Sequence, residues 1–455
     1  MAKPDFTIPC LGEPGIPSPV RLSTVDGDYV ANYTSDDERI LYDIDVTCGT
    51  GILPVNHGQD AHATGPTPVA RQLLEKAGPR SKIYFDPAEI HAGIVTCGGL
   101  CPGLNDVIRA IVMCLSYDYG VSRITGFRFG YRGLLPEFAD EPIALAPQDV
   151  KDIHKLGGTI LGSSRGYGQR TAEMVDTLVQ RKVNILFAIG GDGTQRGALD
   201  ICRHIEHRGL KIAVIGVPKT IDNDLSFVQR SFGFQTSVAR AVDAVRAAHT
   251  EACDAVNGIG LVKVMGRQSG FIAAETAMAS SDVNFVLVPE VPFDLDGENG
   301  LLAHLEKRLK RRAHAVILVA EGAGQELLAA TDKTDPSGNI VLSDIGLFLK
   351  LRITEFFKKK ETEVNLKYID PGYIIRGAPA NAYDSVYCQR LGTNAVHAAM
   401  AGKTALVISM IHDRLVHVPT ALTVARKNCI DPDGPLWRDV ITATGQPKLM
   451  INKLR

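Results

Sequence analysis

The sequence predicts an α/β protein of two lobes with mostly parallel sheets, preceded by an N-terminal extension. Three observations lead there. From His91 onward, short apolar runs alternate with stretches of helical period, the pattern of βαβ units. The chain has 455 residues, more than the roughly 100–200 of one domain, and too many strand-like runs for one small sheet. Glycine is abundant at 44 residues, whereas aromatics are only 6% with a single tryptophan, Trp437. That balance suits tight strand-to-helix turns better than a β-sandwich.

The elements follow in order. The opening is rich in turns, with Pro9, Gly12, Pro14, Gly15, Pro17 and Pro19, and a charged stretch spans 36–39. A loop-like segment over 58–68 precedes a short helical pattern over 69–76. These first ninety residues read as an extension wrapped on the body, not as a catalytic domain of their own. Strands are expected at 93–96, 185–189, 212–217, 259–264, 285–288, 315–319 and 405–408. Helices are expected at 171–182, 198–207, 237–255 and 345–358.

Composition excludes several classes. Lys+Arg 49 against Asp+Glu 51 gives a formal charge of −2, so no global field recruits nucleic acid or an anionic membrane. No apolar run approaches the roughly 20 residues that span a bilayer, and the N-terminus lacks a signal-peptide core. A cytoplasmic protein is expected. The nine cysteines are scattered; Cys97 and Cys101 are the closest pair, but no second pair or histidine couple completes a zinc pattern. Buried free thiols are the expectation, and the histidines read as surface or core residues.

Chemistry gathers at the predicted strand ends. Gly190-Gly191-Asp192-Gly193-Thr194 lies where a strand stops and a helix starts. Consecutive glycines let backbone amides approach an anion, and the helix N-terminus favours phosphate. Asp192 in that turn could hold Mg²⁺; the same residues would also make an ordinary Asp-capped turn. A second glycine loop, Cys97-Gly98-Gly99-Leu100, follows the first strand of the body and matches neither GxGxxG nor a P-loop. Lys219-Thr220-Ile221-Asp222-Asn223-Asp224 is the third segment. One of its two carboxylates could accept a hydroxyl proton while the other faces metal or substrate, unless the segment is a solvated turn. Met265-Gly266-Arg267, Pro289-Glu290 and Tyr373 to Arg376 follow other apolar runs, and arginines suit phosphate groups. Ser163-Ser164-Arg165-Gly166 is either a phosphate contact or a turn.

Together these motifs make the chain resemble the 6-phosphofructokinases over most of its body, from about Gly93 to beyond Tyr383. The long extension, Phe127-Arg128-Phe129-Gly130-Tyr131-Arg132-Gly133 and Ala320-Glu321-Gly322-Ala323-Gly324 look most like the ATP-dependent branch of plants and trypanosomatids. That branch is itself similar to pyrophosphate-dependent enzymes. The resemblance implies a phosphofructokinase-like fold in which 1–92 is the extension. It further implies a nucleotide lobe over 93–234, with a return near 377–425, and a sugar-phosphate lobe over 235–376 with part of 426–455.

It also implies roles. Asp222 matches the catalytic base, and Arg165 and Arg267 match arginines on the transferring phosphoryl group. Gly99, Gly190, Gly191, Gly193 and Thr194 match the ATP site with Arg165, and Asp192 the Mg²⁺ carboxylate. Thr220, Asp224, Met265, Gly266, Glu290, Tyr373 and Arg376 fall with Asp222 and Arg267 on sugar-phosphate positions. Lys367 aligns with a basic contact that a neighbouring subunit supplies in simple bacterial members; a second such contact, an arginine there, aligns with Gly258.

The donor is chosen by two residues. Pyrophosphate users usually carry Asp where this chain has Gly193, because a carboxylate there repels the nucleotide's α-phosphate; Lys219, by contrast, is typical of pyrophosphate users. The branch with the long extension combines both features, which favours ATP. The expectation is a cytoplasmic, allosteric, homotetrameric glycolytic kinase taking fructose 6-phosphate and ATP with Mg²⁺. A reversible pyrophosphate-dependent enzyme and a non-catalytic regulatory subunit are the competing readings. Intact Asp192, Thr220 and Asp222 argue against the second.

Overall fold

The computed structural model describes residues 4–42, 72–138, 141–329, 334 and 340–453. In chain order the strands are β1 (Ile16–Pro17), β2 (Arg39–Leu41), β3 (Leu73–Lys76), β4 (Lys82–Ile83), β5 (His91–Thr96), β6 (Arg123–Phe127), β7 (Ile143–Ala144) and β8 (Ile185–Gly190). They continue with β9 (Ala213–Pro218), β10 (Gly258–Val264), β11 (Phe285–Leu287), β12 (His314–Ala320), β13 (Asn365–Ile369), β14 (Leu406–Ile411) and β15 (Arg414–Pro419). Nine form one sheet in the order β2-β3-β15-β14-β9-β8-β5-β6-β7, and four form a second, all-parallel sheet in the order β11-β12-β10-β13. The two sheets expected from the sequence are present, but the larger is mixed: β14-β9-β8-β5-β6 is parallel, whereas β2, β3, β15 and β7 join antiparallel.

The central strands are apolar on both faces, as a parallel sheet between helical layers requires. On the large sheet Ile94, Phe187 and Ile215 face helices Leu104–Met113 and Ala382–Met400. Val95, Leu186 and Val214 face the opposite layer, with Met174 and Ile201. The small sheet alternates likewise: Val262 and Leu318 join one core, Leu261 and Ile317 the other. Period-two burial fixes the register, since a one-residue slip would exchange the faces.

The strand order places the site. From β5 the chain moves outward to β6 on one side, then returns to β8 and β9 on the other. The order reverses between β5 and β8, and open α/β sheets bind ligands at such a point, beyond the carboxyl ends of the strands. Both glycine loops leave the sheet there.

The extension is woven into this sheet. β3 pairs antiparallel with β15 (Val416↔Lys76, His417↔Glu75) and with β2. Residues 73–76 thus form a strand where the sequence pattern suggested a helix. Their apolar spacing fits either element, and the partner edge of β15 decides. The loop over 58–68 and the first residues of that helical pattern lie outside the described residues. A buried charge cluster holds the junction: Glu75 accepts from Arg80 at 2.9 Å, Lys403 at 2.8 Å and the ring of His417 at 2.9 Å. Burial alone would raise the Glu75 pKa, but the His417 and Lys403 contacts more than offset it and hold the carboxyl far below its usual range.

All eight cysteines among the described residues are free. Cys97, Cys101, Cys114 and Cys388 are buried as expected, whereas Cys10, Cys253 and Cys429 are exposed, Cys253 as the last residue of helix Phe234–Cys253. No helix among the described residues is long and apolar enough to cross a membrane.

Candidate active site

A cleft of about 1040 Å³ opens at the switch point and is lined from both sheets. Helix Asp192–His207 starts directly off β8 with Gly191 as its N-cap and no side-chain cap. Its first-turn N–H groups are therefore left to a ligand. Gly193 and Thr194 line the cleft there. A Cβ at Gly193 would meet nothing within 4 Å, so the space beside it is open. The opposite wall is the loop after β5, where Ser163 Oγ donates to Gly98 O at 2.6 Å and Gly98 N to Ser164 O at 2.9 Å. That contact sets Arg165 against Gly99.

Lys219 is buried, and its Nζ donates to Gly99 O at 2.8 Å. Burial holds its pKa below the ordinary lysine value. Its charge is spent holding the glycine loop.

The turn after β9 carries the carboxylates. Asn223 adopts φ +57°, a conformation asparagine tolerates, and its side chain fixes the turn through Ser231 N and Gln229 O. Asp222 and Asp224 flank it. Asp222 Oδ2 accepts from Arg267 N at 3.4 Å, while Oδ1 is buried without a hydrogen-bond partner. Burial, then the charges of Asp224 and Glu321, push the Asp222 pKa up to about 7. Asp224 accepts from Thr220 Oγ1 at 2.5 Å and from Lys427 Nζ at 2.7 Å. Asp192 is held by Arg196 Nε at 3.2 Å and lies 3.5 Å from Lys427.

From the small sheet, Met265, Arg267 and Glu321 follow β10 and β12, and Arg376 reaches in from the segment after β13. Burial raises the Glu321 pKa against the pull of Lys263, Arg267 and Arg376.

Of the sequence-predicted residues, the cleft gathers Gly99, Arg165, Gly191, Asp192, Gly193, Thr194, Lys219, Thr220, Asp222, Asp224, Met265, Arg267 and Arg376. Five do not line it. Gly190 is buried in β8, where a Cβ would strike Thr194 Oγ1 at 2.1 Å, so packing demands the glycine. Gly266, at φ +129°, shapes the turn that presents its neighbours. Glu290 tethers backbone, accepting from Gly270 N at 2.9 Å and Ile430 N at 2.8 Å. Tyr373 is exposed, with Arg376 stacked 5.0 Å from its ring centroid. Lys367 is exposed on the edge strand β13. At Gly258 no side chain fits, since a Cβ would lie 2.1 Å from Ala252 O. Sequence reasoning missed Lys427, Arg196 and Glu321. Only Glu321 carried a signal, its place just past an apolar strand.

The match to known proteins is extensive. The phosphofructokinase family model spans residues 91–399. An ATP-dependent 6-phosphofructokinase of Borreliella burgdorferi is 59% identical over 387 residues, covering 84% of this chain and 86% of that one. One from Trypanosoma cruzi is 48% identical over 385 residues, 84% of this chain and 79% of its own. ATP-dependent 6-phosphofructokinase 7 of Arabidopsis thaliana is 48% identical over 392 residues, 86% and 79%. Among solved structures, a pyrophosphate-dependent phosphofructokinase from Marinobacter aquaeolei superposes with a TM-score of 0.64 at 20% identity, covering 80% of this chain and 98% of that one. Its likeness concerns the fold alone. The cleft thus brings two glycine turns and the carboxylates of Asp192, Asp222 and Asp224 together with Arg267, Glu321 and Arg376 from the second sheet. The chain belongs to the phosphofructokinase family.

Proposed function

We infer that this protein transfers the terminal phosphoryl group of ATP to O1 of fructose 6-phosphate, giving fructose 1,6-bisphosphate and ADP. The observation that carries the mechanism is Asp222 Oδ1, buried and unpartnered in the turn that lines a cleft shared with Arg165 and Arg267. An orphaned carboxylate oxygen is costly to keep, and here its partner is the O1 hydroxyl of the sugar. Asp222 accepts that proton as O1 attacks the γ-phosphorus. A pKa near 7 suits a base working near neutrality.

Arg165 and Arg267 supply positive charge to the moving phosphoryl group, which spreads negative charge over its equatorial oxygens in transit. Gly99, Gly191, Gly193 and Thr194 hold the donor phosphates with backbone amides. Thr220, Asp224, Met265 and Arg376 hold the sugar phosphate, with Arg376 on the 6-phosphate. Glu290, Gly266 and Tyr373 act from behind, by fixing the backbone or the Arg376 side chain. Asp192 fits Mg²⁺, being a carboxylate about a quarter exposed on the donor wall and paired with the side-chain cations of Arg196 and Lys427; Mg²⁺ typically takes one or two carboxylates plus phosphate oxygens. Bound there, it would neutralise charge between the donor phosphates. Lys427 supplies a second cation between the donor and sugar walls.

ATP is favoured over pyrophosphate because the space beside Gly193 is open and because Lys219 is engaged by Gly99. As a homotetramer in the cytoplasm the protein would offer Lys367, exposed outside its own cleft, to a neighbouring subunit. The test is bisphosphate formation from fructose 6-phosphate and Mg²⁺ with each donor in turn. Activity with ATP and not pyrophosphate is expected; activity with pyrophosphate alone would reverse the donor assignment.

A further inference from the structure

At the end of the small sheet away from the cleft, three ligating side chains meet. His249 and Cys253 stand four residues apart on helix Phe234–Cys253, so they share one face. His314 opens β12, and one ligand atom from each of the three lies within 4.8 Å of the others. The imidazoles are 5.4 Å apart between centroids.

The two rings are held as metal-binding histidines usually are. His249 Nδ1 lies 3.0 Å from Asp282 Oδ1, and His314 Nδ1 lies 3.0 Å from the carbonyl of Arg312. With Nδ1–H donated to an oxygen in each case, the Nε2 lone pairs are left for a ligand. We propose that His249, Cys253 and His314 bind a divalent cation of the zinc type, with Asp282 orienting His249.

Two imidazoles and a thiolate suit zinc better than Mg²⁺, which prefers oxygen. Ligand atoms around a tetrahedral zinc stand roughly 3.3–3.8 Å apart, so the set closes by about 1 Å through side-chain rotation. On binding, the S–H bond of Cys253 breaks, the sulfur pair forms the metal bond and the proton passes to solvent. Thiolate and Asp282 carboxylate then offset the charge of the metal beside Arg308, whose Nε donates to His314 O at 3.2 Å, and water completes the fourth position.

Gly258 and His314 begin the parallel strands β10 and β12, whose far ends carry Met265, Arg267 and Glu321 into the cleft. Seven residues of strand separate the two places, roughly 23 Å. The metal would therefore pin the helix end to the sheet and take no part in phosphoryl transfer.

The test uses the full chain, free of Mg²⁺ and nucleotide, titrated with Co²⁺ by absorption and with Zn²⁺ by calorimetry. One equivalent should bind, with a thiolate-to-cobalt charge-transfer band in the near ultraviolet. Cys253→Ser should abolish the band, and His314→Gln and Asp282→Asn should each weaken binding at least about 10-fold. Cys10→Ser and Cys429→Ser should leave it unchanged. Each variant's fructose 6-phosphate phosphorylation reports that it is folded. Persistence of the band in active Cys253→Ser, or unchanged Zn²⁺ affinity in active His314→Gln, would overturn the proposal, as would absence of binding to the parent chain.

Discussion

Lys427 Nζ lies 2.7 Å from the carboxylate of Asp224, across 203 residues of sequence. The contact exists because the segment around it closes over the turn after β9: Leu225 and Lys427 form an isolated antiparallel bridge, and Asn428 N donates to Asp224 O at 2.9 Å. Burial draws the Lys427 amine down, but Asp224 and Asp192 more than compensate and hold it above the ordinary lysine value. A permanent cation thus bridges the donor and sugar walls.

Removing that charge tests its role. Lys427 is among the groups that lower the Asp222 pKa, so Lys427→Met should move the acid limb of the kcat/KM profile upward from about pH 7. It should also cut kcat/KM for fructose 6-phosphate by about 10- to 100-fold. An unshifted limb would show that Lys427 serves the fold only.

Gly193→Asp probes donor choice cleanly. The backbone there is not left-handed and a Cβ has open space, and an acidic residue in a first helical turn is well tolerated. Thermal stability and sugar affinity should stay near those of the parent. The kcat/KM for ATP should fall by about 10² or more, since a carboxylate then confronts the phosphates at close range. Unchanged ATP kinetics would refute the steric and electrostatic account of this glycine.

Asp222 also predicts a pH-dependent cost in stability. Its folded pKa, about 7, is above the ordinary carboxylate value of 3.8, so the native state binds the proton more tightly than the unfolded chain. Stability is then lost as pH rises from about 4 to about 7, and the loss is complete above that. Asp222→Asn should be more stable than the parent at pH 8, by on the order of 2 kcal/mol. The gain should shrink toward pH 4, and paired melting curves at the two pH values read it.

Glu75 behaves in the opposite sense. Its pKa lies below the usual 4.5, so its stabilisation is present above that pH and is lost as pH falls through and below it. Glu75→Gln removes the buried anion that Arg80, Lys403 and His417 share and leaves Arg80 and Lys403 only the more exposed Asp36, a change that costs about 3 kcal/mol. Hydrogen exchange over Leu73–Lys76 should accelerate by about 100-fold or more while the cleft keeps its chemistry. Equal protection in both proteins would contradict this.

The central strands were legible because burial on both faces leaves an uninterrupted apolar run, as in Ile185–Gly190. The site was legible where chemistry and turn coincide, at Gly191 to Thr194 and Thr220 to Asp224. Residues 73–76 were misread because their pattern fits a helix locally, and only β15 selects a strand. Strands Asn365–Ile369 and Arg414–Pro419 are partly polar and gave no clear run. Lys427 and Arg196 could not be found in advance, since a lone surface-type cation acquires meaning only from the carboxylates the fold brings to it. His249 and His314 share no sequence motif for the same reason. Gly190 is packed against Thr194, and Glu290 tethers backbone through Oε1 while its Oε2 is buried without a hydrogen-bond partner.

The most direct measurement is single-turnover phosphoryl transfer from ATP in Asp222→Asn, alongside fructose 6-phosphate binding. The amide keeps the shape and removes the base, so the rate should drop by about 10² to 10⁴ with sugar affinity retained within a few-fold. Turnover close to that of the parent, in a variant that binds the sugar normally, would contradict the account of Asp222 as the residue that takes the proton.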